Sequence, residues 1–208
     1  MIELIEGATE RDLFISVISG GSSALLAYPV EGITLEDEIR AHDLLLKSGA
    51  TITEINAVRR HISRTNGGRL AELITGKGAE LISLMVGDAV GRLPTQDIGE
   101  PVDFYGTPVG PDNTTIEDAR SMIKNYDLDE KLPKRIVDYI FDDERVRETP
   151  KKFASLLTTF LLATVSDLGE AAIRAAGEMG IPILVLSTFL EGESRDAGRV
   201  LSSVAREI

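Results

Sequence analysis

Short apolar runs alternate along this chain with longer amphipathic segments. Four runs have the length and branched aliphatic composition of strands: residues 13–18, 81–86, 156–163 and 183–186. The first run is apolar at nearly every position, which predicts a strand buried on both faces. Apolar residues three and four apart, such as Ile55, Val58 and Ile62, predict helices between the runs. Strands that alternate with helices predict parallel strands joined by crossovers, hence an open, mainly parallel α/β sheet flanked by helices.

Capping signals give the predicted helices their ends. The helices are expected from Thr34 to about Lys47, over 52–62, over 69–74, from Thr114–Thr115 to about Tyr126, over 134–141, over 168–179 with Ser166 as N-cap, and over 191–208. Residues 90–113 form a loop rich in glycine and proline, and loops of that length are usually functional or disordered. The charged residues 142–152 are predicted to be a flexible connector.

Composition excludes some functions. The net charge is −12, from 34 acidic and 22 basic residues, which argues against general binding to nucleic-acid phosphates but leaves room for a small anionic ligand. There are no cysteines, so thiolate metal sites are absent. No apolar run approaches the ~20 residues that a membrane helix needs. We therefore expect a cytoplasmic protein that binds neither nucleic acid nor membrane.

Ligands of such sheets bind beyond the carboxyl ends of the strands. The first strand is followed by Ser19, Gly20, Gly21, Ser22 and Ser23, here called the glycine–serine turn. It is either a ligand cradle, in which backbone N–H groups meet an anion, or only a tight turn. It matches neither the P-loop nor the dinucleotide fingerprint. The other strand ends carry small polar residues or aspartate, at 87–88, 164–167 and 187–188.

Residues 54–72 concentrate basic side chains in an otherwise acidic chain. Asn56, Arg59 and Arg60 are three and four positions apart on one helix, an arrangement suited to a carboxylate or phosphate. The alternative is a solvated helix face. His61 is expected to be a hydrogen-bonded structural histidine and His42 a surface residue.

Together these stretches resemble a known family. The segments ISGGSSALL (18–26) and EGITLEDEIRAHDLLLKSGATITEINAVRRHISRTNGGRLAE (31–72) are similar, in order and spacing, to glycerate 2-kinases of the MOFRL-associated (DUF4147) family, whose members are sometimes labelled hydroxypyruvate reductase. Weaker similarity continues to the end of the chain. The family resemblance implies a Rossmann-like fold.

The chain departs from the family pattern at several positions. Ser22 stands where a third glycine is usual, and Asn66 replaces a common lysine. Gly87 lacks a usual hydroxyl, Arg92 stands where an acid is expected, and residues 164–165 replace part of a Gly-Ser-Asn stretch.

The resemblance implies ATP-dependent phosphorylation of D-glycerate at its 2-hydroxyl, with Mg²⁺. By the same resemblance, the glycine–serine turn (Ser19, Gly20, Gly21, Ser22, Ser23) holds substrate or phosphate oxygens. Asn56 and Arg59 orient the glycerate carboxylate, and Arg59 offsets developing charge. Asp88 binds the metal indirectly or steers the hydroxyl; from the residues alone it is equally a helix cap or turn residue.

Family members are considerably longer at both ends, with earlier strands, a lysine-bearing loop and a closing MOFRL domain. We therefore expect residues 1–208 to be a single α/β domain, the middle portion of a longer kinase, inactive by itself and with a sheet edge that favours homo-oligomers. A non-catalytic ligand-binding protein or a truncated remnant is the alternative. Hydroxypyruvate reductase ranks third, because no dinucleotide fingerprint is present.

Overall fold

A three-stranded parallel sheet lies at the centre of the fold. In the computed structural model, which describes residues 1–87, 106–153, 156–187, 190 and 192–207, the strands are β1 (Leu13–Ile18), β2 (Glu80–Gly87) and β3 (Leu157–Thr164), in the order β1-β2-β3. Leu13 pairs with Glu80, and Leu81 pairs with Leu157. Three predicted strands and the open parallel sheet are confirmed.

Helices connect the strands and carry most of the predicted caps. They are α1 (Ile2–Glu6), α2 (Ser22–Leu25), α3 (Leu35–Lys47), α4 (Ile52–His61), α5 (Arg69–Thr75), α6 (Ile116–Asn125), α7 (Lys134–Ile140), α8 (Val165–Glu178) and α9 (Ser194–Ala205). Capping boxes begin α3 at Thr34 and α6 at Thr115. Such a box satisfies N–H groups that a helix start leaves unpaired and stabilises it by about 1 kcal/mol.

The buried apolar side chains form two clusters. The larger one lies among α3, α4, α6 and α7 and includes Leu45, Val58, Met122 and Ile136. The smaller one packs α1 and α5 against one face of the sheet, with Leu81 of β2 at its centre. The glycine–serine turn follows β1 and leads into α2.

The prediction that β1 is buried on both faces is wrong. Leu13, Ile15 and Val17 are 52%, 62% and 75% exposed, while the alternate residues are half-buried. β1 is one of the two edge strands of the described sheet, and the part of the chain that the structure describes places no element over its second face. A run of branched aliphatic residues therefore predicts a strand, but it does not show whether one or both faces of that strand are buried.

Two predicted features near the C-terminal end are also wrong. Residues 183–186 do not form a strand, because no strand of the described chain runs alongside to pair with their backbone groups. The cap of α8 is Thr164 rather than Ser166. Thr164 has Asp167 three positions later to complete a capping box, whereas Ser166 has Gly169 there.

Residues 142–152 lack helix and strand, as predicted, but they are not a loose connector. Thr149 is 2% exposed, and its hydroxyl donates to Asp112 Oδ2 at 2.9 Å. Glu148 Oε1 lies 2.7 Å from His61 Nε2, and the Arg147 carbonyl accepts from Arg69. The charged composition of 142–152 predicts a solvent-exposed segment, yet its polar groups bind Asp112, His61 and Arg69.

Candidate functional site

The glycine–serine turn closes on itself through Ser22. Its hydroxyl donates to the Ser19 carbonyl at 2.7 Å and accepts from the Ser19 N–H at 3.3 Å, and the Ser22 N–H also donates to Ser19. Gly21 has φ +85°, which favours glycine. Ser22, the departure from the family pattern, therefore supplies the hydroxyl that closes the turn, and its own N–H is already used.

A second turn, residues 63–66, binds α2 through hydrogen bonds from its side chains to backbone carbonyls. The Asn66 side-chain amide donates to the Ser23 carbonyl at 3.0 Å, and the Thr65 hydroxyl donates to the Leu26 carbonyl at 3.0 Å. Both residues are buried. Asn66, which replaces a lysine of the family pattern, therefore has a definite part here: it fixes the helix that follows the glycine–serine turn.

Gly68 lets the chain pass close to residue 110 immediately after this second turn. Its φ is +81°, and a Cβ at this position would lie 2.6 Å from the Gly110 carbonyl oxygen. The Gly68 N–H donates to the Thr107 carbonyl at 2.9 Å. A side chain at position 68 would push α5 away from residues 107–110. Close packing therefore requires glycine at this position.

Neighbouring arginines of α4 have different surroundings. Arg59 Nη1 donates to Asn56 Oδ1 at 3.0 Å, as their spacing predicts. Arg60 Nη1 binds Asp112 Oδ1 at 2.8 Å, and the Asp112 side chain is completely buried. Arg60 therefore anchors α4 to residue 112, because a buried carboxylate needs a charged partner.

Arg59 lines a small cavity of about 60 Å³ together with Glu38, His42, Ala24 and Ala27. The two alanines lie on and just after α2, so the structure brings the glycine–serine turn and the Arg59 helix to one place. Glu38 and His42 of α3 are four positions apart and share a face. We call this set the Arg59 cavity.

Burial perturbs the three ionisable groups of the Arg59 cavity. It raises the pKa of Glu38, against the opposing effect of Arg59. It lowers the pKa of Arg59 and, with Arg59 beside it, lowers the pKa of His42. Glu38 Oε2 is buried without a hydrogen-bond partner in the described part of the protein. Such a combination is typical of functional sites.

Sequence reasoning missed Glu38 and misplaced His42. His42 was expected at the surface, but it is half-buried because the α3 face that carries it packs toward Arg59. The available signal was the spacing of Glu38 and His42, four positions apart on a helix whose other face is apolar. That pattern cannot show which segment packs opposite.

Other predicted site residues lie elsewhere. Asp88 and Arg92 fall outside the described residues, as does Thr188. Asp167 accepts from the N–H and hydroxyl of Thr164 in the α8 cap, which gives it a structural task. Among the residues that the structure describes, no group of three or more His, Cys, Asp or Glu side chains could hold a metal ion.

His61 is structural, as expected. It is fully buried, with Nδ1 2.6 Å from the Ala57 carbonyl oxygen and Nε2 2.7 Å from Glu148 Oε1. Glu148 also accepts from Lys151 at 2.8 Å and from the Ile116 N–H at 3.1 Å. Burial would raise the pKa of Glu148, but the hydrogen bonds from Lys151 and His61 outweigh it and lower this pKa to about 2.

Comparison with known proteins now defines the class. Residues 1–141 match the family described as "Domain of unknown function (DUF4147)", and the chain belongs to this family. It is 41% identical over 209 residues to the glycerate 2-kinase of Pyrococcus horikoshii, covering 100% of this chain and 45% of the relative. It is 36% identical over 201 residues to a putative hydroxypyruvate reductase of Agrobacterium vitis, covering 97% and 43%.

Solved structures give the same picture. A crystal structure titled glycerate kinase from Thermotoga maritima matches with a TM-score of 0.70 and 32% identity, over 99% of this chain and 46% of that one. A crystal structure of a P. horikoshii protein matches with a TM-score of 0.69 and 38% identity, over 100% and 46%. The chain thus spans less than half the length of these relatives. In the described residues, no helix is long and apolar enough to cross a membrane.

Gly21→Ala should destabilise the protein by about 1–2 kcal/mol, because alanine is strained at positive φ. The reason is conformational, since a Cβ would meet only Leu25 Cδ1, at 4.0 Å. The matched control is Gly169→Ala in α8, where a Cβ meets nothing within 4 Å and alanine should stabilise by about 0.5–1 kcal/mol. Urea unfolding measures the change in the free energy of unfolding for both variants. A change of the same sign in both would contradict the strained conformation assigned to Gly21.

Glu148→Gln should lower the melting temperature at pH 7 but not at pH 2. The depressed pKa means that the stabilisation by this carboxylate is present above its ordinary pKa of 4.5 and is lost as pH falls toward about 2. Thermal unfolding of both proteins across this window measures the effect. The exposed Glu117→Gln serves as control, and a constant difference between pH 7 and pH 2 would argue against the predicted hydrogen bonding.

Proposed function

We propose that this protein takes part in ATP-dependent phosphorylation of D-glycerate at the 2-hydroxyl, giving 2-phosphoglycerate. The observation that carries the proposal is the Arg59 cavity: a half-buried guanidinium, fixed by Asn56, facing α2 in a chain 41% identical to a protein named glycerate 2-kinase. Glycerate has one carboxylate, and a guanidinium fork is the group that binds carboxylates bidentately.

The size of the Arg59 cavity fits one end of glycerate. A volume of about 60 Å³ is well below the ~300–1,000 Å³ of a site that encloses a whole small ligand. It therefore accepts the carboxylate, while the hydroxyl-bearing carbons extend toward the glycine–serine turn. Arg59 uses one N–H group on Asn56 and keeps others for this ligand. Glu38 lines the same cavity, and its raised pKa favours the neutral form, which can donate a hydrogen bond to the bound carboxylate.

The glycine–serine turn suits phosphate oxygens only in part. The Ser22 N–H is occupied by Ser19, so the exposed Gly20 and Gly21 are the positions at which backbone N–H groups meet an anion. ATP, when bound, supplies the phosphoryl group, and the contribution of this chain is positioning and charge. We propose ATP as donor on this ground and on the family resemblance.

Magnesium has weaker support. The described residues offer no cluster of metal-ligating side chains, and Asp88, the proposed indirect ligand, lies outside them. A divalent ion bound mainly through substrate phosphates and water needs only one or two carboxylates. The proposal of Mg²⁺ therefore rests on the chemistry of phosphoryl transfer.

Two further proposals concern context. We propose a cytoplasmic location, since an ATP-dependent kinase works where ATP is made. We propose homo-oligomers because the exposed apolar residues Leu13, Ile15 and Val17 lie on an edge strand. Sedimentation velocity tests the second of these.

Reduction of hydroxypyruvate is the second candidate function, and relatives named putative hydroxypyruvate reductase favour it. Paired assays of the polypeptide encoded by the complete reading frame distinguish the two. ATP-dependent formation of phosphoglycerate supports the kinase. Oxidation of a reduced nicotinamide by hydroxypyruvate, without ATP consumption, would replace it with the reductase. The absence of both activities would favour a ligand-binding protein or a remnant of the fold.

Arg59→Ala should weaken glycerate binding by about 1.5–3 kcal/mol, the usual contribution of a charge-assisted hydrogen bond. This corresponds to about a ten- to hundredfold rise in Kd, measured by isothermal titration calorimetry. Arg40→Ala on the exposed face of α3 removes the same charge and should leave Kd within about twofold. An unchanged Kd in Arg59→Ala would remove Arg59 from the proposed site.

A further inference from the structure

A second and much larger cavity lies apart from the Arg59 cavity and shares none of its lining residues. It has a volume of about 780 Å³ and is lined by the side chains of Arg64, Arg69, Arg145 and Arg147. Cavities of ~300–1,000 Å³ are the usual size of small-molecule sites. In a chain of net charge −12, four guanidinium groups around one cavity are a local concentration of arginine.

Arg69 is the buried member of this group. It is 8% exposed, and its Nη2 donates to the Arg147 carbonyl at 2.7 Å. Its Nε has no hydrogen-bond partner, and no carboxylate lies within 4.0 Å of its guanidinium, in the part of the protein that the structure describes. An unpaired buried charge is costly. Arg69 therefore makes no direct ion pair among the described residues, and only the more distant carboxylates of Glu72 and Glu148 act on its charge. A bound anion would supply the direct partner.

The exposed arginines are held at the cavity by aromatic rings. Arg64 lies 4.6 Å from the centroid of the Tyr28 ring and donates to its hydroxyl at 3.0 Å. Arg145 lies 5.7 Å from the Tyr139 ring. Stacking of this kind reduces the conformational freedom of a long side chain before a ligand binds. The guanidinium groups are thus oriented rather than freely mobile.

Three carboxylates, Glu31, Glu72 and Glu144, also line the cavity. None of them forms an ion pair within 4.0 Å with the four arginines among the described residues. Among the lining residues the four arginines exceed the three glutamates by one charge, and Arg145 Nε also lies 4.0 Å from Asp142 Oδ2. This near balance disfavours a ligand that carries negative charge over its whole length. A compact anion that concentrates its charge at one end fits this arrangement.

We propose that this cavity binds a small polyvalent oxyanion, with Arg69 as the buried anchor and Arg64 and Arg145 as exposed partners. The ligand is a compact phosphate compound or a polycarboxylate, since both present the paired oxygens that a guanidinium fork recognises. The site is independent of the proposed kinase function, because it involves neither Arg59 nor the glycine–serine turn.

Isothermal titration calorimetry at low salt tests the proposal with two probes, pyrophosphate and citrate. The protein should bind at least one of them saturably at one site per chain. Arg64→Gln and Arg145→Gln should each raise Kd about tenfold, the equivalent of ~1.4 kcal/mol. Both side chains are exposed, so these variants should fold. Arg69→Gln removes a buried group that donates to the Arg147 carbonyl, so it serves only as a third, supporting measurement. The preferred probe distinguishes a phosphate ligand from a polycarboxylate.

Matched controls separate this site from the other one. Arg40→Gln makes the same charge change on an exposed helix face, and Arg59→Ala alters the proposed glycerate site. Both should leave Kd for the two probes within about twofold. Absence of saturable binding by the unmodified protein would overturn the proposal. So would a loss confined to Arg59→Ala, or an equal loss in Arg40→Gln.

Discussion

The buried carboxylate of Asp112 is the constraint on which the helical part of the structure depends. Its side chain is fully shielded from solvent and binds Arg60 of α4, the Thr114 hydroxyl and N–H, and the Thr149 hydroxyl. Burial alone would raise the pKa of Asp112, but the charge of Arg60 and the hydrogen bonds from Thr114 lower it below its ordinary value. A charge in this position is tolerated only while every partner stays in place, so three distant segments are fixed together.

This constraint also explains how one helix serves two purposes. Successive residues of a helix point about 100° apart, so Arg60 can anchor α4 to Asp112 while Arg59 faces the small cavity. The anchor holds α4, and Asn56 then orients the Arg59 side chain. A binding group on a helix that is clamped in this way needs little reorganisation when a ligand arrives.

Local sequence patterns predicted the features that depend only on residues close in the chain, such as helix ends. The spacing of Thr34 and Asp37 gave a helix start that the structure confirms, and glycines at 67–68 gave the break between α4 and α5. Patterns failed where the answer lies across the fold. Leu13, Ile15 and Val17 look the same whether or not another layer covers them, and residues 183–186 need a partner strand.

The candidate site divides in the same way. The Asn56–Arg59 contact follows from helical spacing, and the family motifs pointed to the glycine–serine turn. Glu38 and His42 meet Arg59 only because α3 packs against α4, which no local pattern specifies. Arg69 was part of a recognised motif, but its burial beside Arg64 and Arg145 depends on the path of residues 142–152. The roles of the glycine–serine turn and of Asp88 remain predictions.

The order of the strands has a consequence for how the chain folds. Leu13 of β1 pairs with Glu80 of β2, 67 positions away, and Leu81 of β2 pairs with Leu157 of β3, 76 positions away. Such distant pairings slow folding because a long loop must close first. The helices of the larger apolar cluster lie within those loops, between Leu35 and Ile140. Their assembly shortens the effective loop between β2 and β3, so we expect the helical cluster to form early and the sheet to complete the slow phase of folding.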